Sequence, residues 1–116
     1  MTAGCMPRYA ILEHDWPALH WDLLLEAGES LRAWRLLGEP RGGDAIPAEA
    51  NFPHRLFYLN FEGLVSGGRG EVRRWDAGTF AWVENEPERA IVDLAGNRLS
   101  GRFVIADGCF LSVAIS

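Results

Sequence analysis

Between Leu19 and Glu26 the chain reads "LHWDLLLE". Successive side chains of a strand point to opposite sides. One face would carry Leu19, Trp21, Leu23 and Leu25, and the other His20, Asp22, Leu24 and Glu26. The first face is uniformly apolar and predicts core. Comparable short runs, separated by turn residues, fill the rest of the chain, which is the pattern of an all-β sandwich or barrel. "RYAILE" (Arg8 to Glu13) predicts a first strand, and "DWPA" bends the chain at Pro17. "LRAWRLL" (Leu31 to Leu37) returns after "AGES" to complete a hairpin with Leu19–Glu26.

From Gly38 to Pro53 the chain has three prolines, three glycines and no period, and predicts a long loop. "HRLFYLNFEG" predicts a strand from His54 to Phe61, with Leu56, Phe57, Leu59 and Phe61 as core, and "LVSGGRG" a glycine-rich turn. "EVRRWDAGTFAWV" predicts a second hairpin turning at Asp76–Gly78. "RAIVDL" and "RLSGRFVIA" pair across Ala95–Asn97, and "CFLSVAIS" closes the structure as a last strand. Only residues 14–19 and 44–50 leave room for a helix. The expectation is one all-β domain over residues 1–116, a small antiparallel β-barrel of seven to eight strands with little or no helix.

Composition narrows this further. A chain of 116 residues that is 48% hydrophobic, with five tryptophans, can bury a core without disulfides. The two cysteines, Cys5 and Cys109, show no framework spacing, so a reduced intracellular protein is the default. No apolar run approaches the ~20 residues that span a bilayer, and no signal peptide is visible; a cytoplasmic location without membrane association follows by elimination. The net charge of −5 argues against broad non-specific nucleic-acid binding. All eleven basic side chains are arginine. Arg69, Arg73 and Arg74 form a local cluster, in which Arg73 and Arg74 are more simply read as solvated edge charges, and Trp75, Phe80 and Trp82 read as core.

Chemistry concentrates in "HDWPALHWD". His20 and Asp22 project in parallel from one strand face and can grip one cation, and a turn at Pro17 can return His14 to the same point. Two imidazoles and one carboxylate suit Zn²⁺, Mn²⁺ or Fe²⁺ with open positions. The competing reading is a solvent-facing strand edge, since H-x-D is a common tripeptide. His54 and Tyr58, four residues apart on one predicted strand, share a face. All three histidines thus fall at strand starts or bends, which favours one shared site.

These residues resemble the 3′-phosphoesterase domain of bacterial ATP-dependent DNA ligase D. The resemblance runs through His14-(five residues)-His20-x-Asp22 with Leu25-Glu26, Ala33-Trp34, "HRLFYLNFEG", "GGRGEVRRWDAGTF" and "DLAGNRLSGRFVI", in order, from Pro7 to Ala106. It implies a compact β-barrel with one divalent metal, manganese first and zinc second. It also implies removal of 3′-phosphate or 3′-ribonucleotide groups from DNA ends in repair. His14, His20 and Asp22 would ligate the metal, and His54 and Tyr58 would act on the scissile phosphate as catalytic residues. DNA 3′ ends or a small phosphorylated ligand, and partner repair proteins, are the expected contacts of a monomer.

Three positions depart from the resembling family: Leu24 stands in place of an arginine, Leu12 in place of a glutamine and Gly38 about where a lysine falls. Arg35 or Arg41 could substitute from another direction. Two alternatives to the phosphoesterase therefore stay open, a non-catalytic binding module and the same metal site turned to a less charged ligand. Glu62 is expected to be a structural acceptor in a turn, and Cys5 and Cys109 to carry no chemistry.

Overall fold

The computed structural model describes residues 6–41 and 43–113; Cys5 lies outside them. Among the described residues nine antiparallel strands run β1 (Arg8–His14), β2 (His20–Ala27), β3 (Ser30–Leu36), β4 (Ile46–Arg55), β5 (Gly63–Leu64), β6 (Glu71–Asn85), β7 (Arg89–Gly96), β8 (Ser100–Ala106) and β9 (Cys109–Val113). The sheet order is β1-β2-β3-β4-β9-β8-β7-β6-β5, and β1 also pairs with β6. Eight strands therefore close into a ring, with β5 added on the outside of the circuit. The all-β expectation holds, and among the described residues the one helical element is a 3-10 turn at Leu56–Asn60.

Two apolar clusters form on opposite faces of β1–β3. Ile11, Leu23, Leu25, Trp34, Phe80 and Phe110 belong to the larger one, fed by strands from all around the ring. Ala10, Leu12, Leu24, Leu31, Ala33, Leu59 and Val72 form a second, covered by Leu56, Tyr58, Phe61 and Val65 from the segment around the 3-10 turn. Burying apolar surface on both faces explains the unbroken run Leu23-Leu24-Leu25 in β2, as in strands covered on two sides. Leu19 departs from the predicted core face: β2 starts at His20, and Leu19 lies exposed before it.

Three local expectations are corrected. The loop expected over 38–53 contains β4, which alternates buried Ile46 and Ala48 with exposed Pro47 and Glu49. Alanine supplies a weak inward signal, and two prolines masked the strand. The strand expected from His54 to Phe61 ends at Arg55 and gives way to the 3-10 turn, which leaves Phe57 exposed and buries Leu59.

The hairpin expected at Asp76–Gly78 is one continuous strand, β6. Its register against β1 shifts between Ile11 and Leu12, so that Trp75 is an extra residue. Such a bulge lets two neighbours in sequence both face inward; Trp75 and Asp76 are both buried. Trp82 packs half-buried on the larger cluster and Phe80 lies inside it, as core. The last strand ends at Val113, with residues 114–116 outside the described ones. No helix among the described residues is long and apolar enough to cross a membrane.

Candidate metal centre

The β1–β2 register sets His14 directly across from His20 and Leu12 across from Asp22. Cross-strand partners share a face, so the hairpin itself gathers both imidazoles and the carboxylate. The rings of His14 and His20 lie 4.9 Å apart between centroids. Asp22 reaches His20 Nε2 at 3.3 Å and His14 Nδ1 at 3.7 Å. One ligating atom from each of the three residues falls within 4.8 Å of the others.

The remaining ring nitrogens are occupied. His20 Nδ1 donates to the Ala18 carbonyl at 2.8 Å, and His14 Nε2 donates to the Arg69 carbonyl at 2.8 Å. A carbonyl only accepts, so in the neutral ring each bond fixes the tautomer and leaves the other nitrogen's lone pair facing Asp22. That orientation of ligating histidines by a backbone acceptor is what metal sites use. The donor set therefore fits a divalent cation of the Zn²⁺, Mn²⁺ or Fe²⁺ kind.

The Arg69 carbonyl is held in place by close packing. Gly70 has φ +80°, and a Cβ there would collide with the Asp15 carboxylate and with Trp16 Cβ. Asp15 Oδ1 in turn accepts the Glu71 backbone N–H at 2.8 Å. The glycine-rich segment thus braces His14 from outside its own strand.

Burial lowers the pKa of His20, but the hydrogen bonds to Asp22 and the Ala18 carbonyl outweigh it, and the net direction is upward. The charge of Arg35 pulls the other way.

The three residues open on a cavity of about 440 Å³ whose wall also includes His54, Tyr58, Arg35, Arg55 and Arg69. His54 reaches it through a second bulge. Ala33 pairs with Asn51 but Leu31 with His54, so β4 carries one residue more than β3 there. The extra residue returns His54 to the face of Asn51. His54 Nδ1 donates to the Phe52 carbonyl at 2.9 Å, its ring stacks on Phe52, and Tyr58 packs edge-on at 5.9 Å. The pairing of His54 with Tyr58 thus comes from the 3-10 turn.

Of the substitutes considered, Arg35 lines the cavity, whereas Arg41 is paired with Glu39 and does not. Arg55 was missed. Leu12 and Leu24 also line the cavity, both buried. The position of Arg35 was available from the hairpin: counting back from the two-residue turn Gly28–Glu29 pairs Arg35 with Asp22. Elsewhere, Arg73 pairs with Glu71, Glu62 accepts the Arg74 backbone N–H at 2.8 Å as a structural acceptor, and Cys109 is a free, half-buried thiol.

A search of curated proteins returned no match. The family model described as the DNA ligase D 3′-phosphoesterase domain matches residues 12–107, a span that includes every residue of the cluster and most of the ring. The chain belongs to the DNA ligase D 3′-phosphoesterase domain family.

Proposed function

We propose that the protein is a divalent-metal-dependent phosphoesterase that removes 3′-phosphate or 3′-ribonucleotide groups from DNA ends in repair, acting as a cytoplasmic monomer. The observation that carries this reading is the cavity itself. Two imidazoles and a carboxylate converge at one side of a pocket that also holds His54, Tyr58 and three arginines, in a chain whose net charge is −5.

Held by His14 Nδ1, His20 Nε2 and Asp22, manganese or zinc would supply Lewis-acid charge against a phosphate oxygen and lower the pKa of water. The protein's own part begins with the Ala18 and Arg69 carbonyls, which keep both imidazoles in the ligating tautomer. His54 is anchored through Nδ1, which leaves Nε2 to hydrogen-bond the phosphate or, when protonated, to pass a proton to the departing oxygen. The Tyr58 hydroxyl donates to a phosphate oxygen. Arg35, whose Nε is shut off from solvent, offsets phosphate charge more strongly than the exposed Arg55 and Arg69, because fixed donors act most strongly away from water.

With Mn²⁺, purified protein should release inorganic phosphate from a 3′-phosphorylated DNA primer, and His54→Ala should lower the rate about 100-fold or more. No release, with His54→Ala indistinguishable from wild type, overturns the assignment.

A second reading, a non-catalytic binding module, is favoured by one observation. Leu12 and Leu24, which flank Asp22 on its own face, are buried and apolar and offer a phosphate nothing. Turnover abolished by His20→Ala removes that reading.

A further inference from the structure

Among the described residues, no hydrogen bond or ion pair engages the Arg35 side chain. In register it sits between Asp22 on β2 and Glu49 on β4, yet it forms no ion pair with either among the described residues. Its Nε is shut off from solvent and has no hydrogen-bond partner. Other arginines of this chain are engaged: Arg32 with Asn85, Arg89 with Glu84, Arg102 with Asp93. A buried donor left unmet costs about 1–3 kcal/mol, and such groups in native proteins call for an explanation. Arg35 lines the same cavity as His14, His20 and Asp22, so a ligand entering that cavity can meet this side chain.

Resting on the phosphoesterase reading above, we infer that Arg35 is the specificity residue of the site and selects a terminal phosphate monoester over a phosphodiester. The reason is the number of free oxygens. A guanidinium takes two oxygens in a planar fork. A terminal phosphate has three non-bridging oxygens, so it can give two to Arg35 and still present one to the His14–His20–Asp22 side. A diester has two, and cannot satisfy the fork and the ligand cluster together. Leu24, on the same face, adds no donor that would compensate. On this account 3′-phosphate ends are the preferred substrate and 3′-ribonucleotide ends the poorer one.

Calorimetric titration of Mn²⁺-loaded protein tests this, with the non-hydrolysable 3′-methylenephosphonate analogue of thymidine 3′-phosphate as the monoester and that analogue's methyl ester as the diester. Wild type should bind the monoester about tenfold more tightly or better, roughly 1.4 kcal/mol. Arg35→Gln should bring the two within about twofold of each other by weakening the monoester, with Mn²⁺ affinity, titrated separately, not reduced. Arg35→Lys keeps the charge but not the fork. It should lose most of the preference too, and it carries the test if the glutamine variant does not fold.

A preference that survives in both variants overturns the inference and leaves the phosphoesterase reading standing. Mn²⁺ affinity that falls as much as monoester affinity also overturns it, by making Arg35 a support for Asp22. Wild type that binds neither Mn²⁺ nor the monoester overturns both.

Discussion

Asp76 and Asp22 are carboxylates drawn into the same small protein, and they differ in what reaches them. Asp76 accepts the Tyr9 hydroxyl at 2.7 Å and the backbone N–H groups of Asn97, Arg98 and Leu99 at 2.9, 2.9 and 3.1 Å. A Cβ on Gly96 would strike both the Tyr9 hydroxyl and the Asp76 carboxylate, so the chain is closed tightly over this end. Burial, the hydrogen bond to Asp76 and its charge all push the Tyr9 hydroxyl far up, and it stays a donor. Asp22 receives no hydrogen bond from a backbone N–H among the described residues. It faces two imidazole nitrogens whose lone pairs also point inward. Four donors around a carboxylate hold a fold together, whereas converging acceptors around one suit a cation.

Removing each carboxylate separates the two roles most sharply. Asp76→Ala strands three backbone N–H groups and a phenol in a buried place, and should cost about 3–5 kcal/mol in urea unfolding. Asp22→Ala in metal-free protein at pH 8 should cost less than about 1 kcal/mol, because it strands no donor. Equal losses would break the comparison.

A smaller effect follows from ligand linkage. Mn²⁺ at 100 times its dissociation constant should stabilise wild type by about 2.7 kcal/mol. The same addition should leave Asp22→Ala unmoved and should stabilise Asp76→Asn in full, provided that variant folds. Stabilisation that persists in Asp22→Ala would place the ion elsewhere.

The same contrast explains what the sequence made legible. His20-x-Asp22 could be read as a site because strand alternation fixes its face without any knowledge of the partner strands, and the bend at Pro17 makes the return of His14 natural. Asp76-Ala-Gly78 reads as a turn because Asp and Gly are turn formers. Its carboxylate finds its donors in residues 97–99, more than twenty positions away, which no local pattern reports. Strand β4 was obscured for the opposite reason, since Ala48 marks an inward face too faintly to outweigh Pro47 and Pro53. His54 reaches the cavity only because a bulge shifts its parity, and Tyr58 joins it through a 3-10 turn, so an expectation right about their proximity rested on the wrong element. Both faces of β2 looked different in polarity but are both covered, and the 53–65 segment that covers the second comes from the far side of the long connection.

The smallest effect is a pH dependence with opposite signs for the empty and the filled site. In the metal-free chain the pKa of His20 is raised over its unfolded value, its hydrogen bonds to Asp22 and Ala18 outweighing the opposing effect of burial. The folded state therefore holds this proton more tightly than the unfolded chain does. Its contribution to stability is full below the unfolded pKa, about 6.5, and is lost as pH rises through the higher folded value. The difference in unfolding free energy between wild type and His20→Gln should accordingly shrink from pH 5.5 towards pH 8.5 without metal. Binding of Mn²⁺ needs the same nitrogen unprotonated, so its affinity should rise over that window, and with metal present the difference should grow instead. A wild-type advantage that moves the same way with and without Mn²⁺ would mean that the proton and the cation do not share His20 Nε2, and Asp22 would then be a structural carboxylate like Asp76.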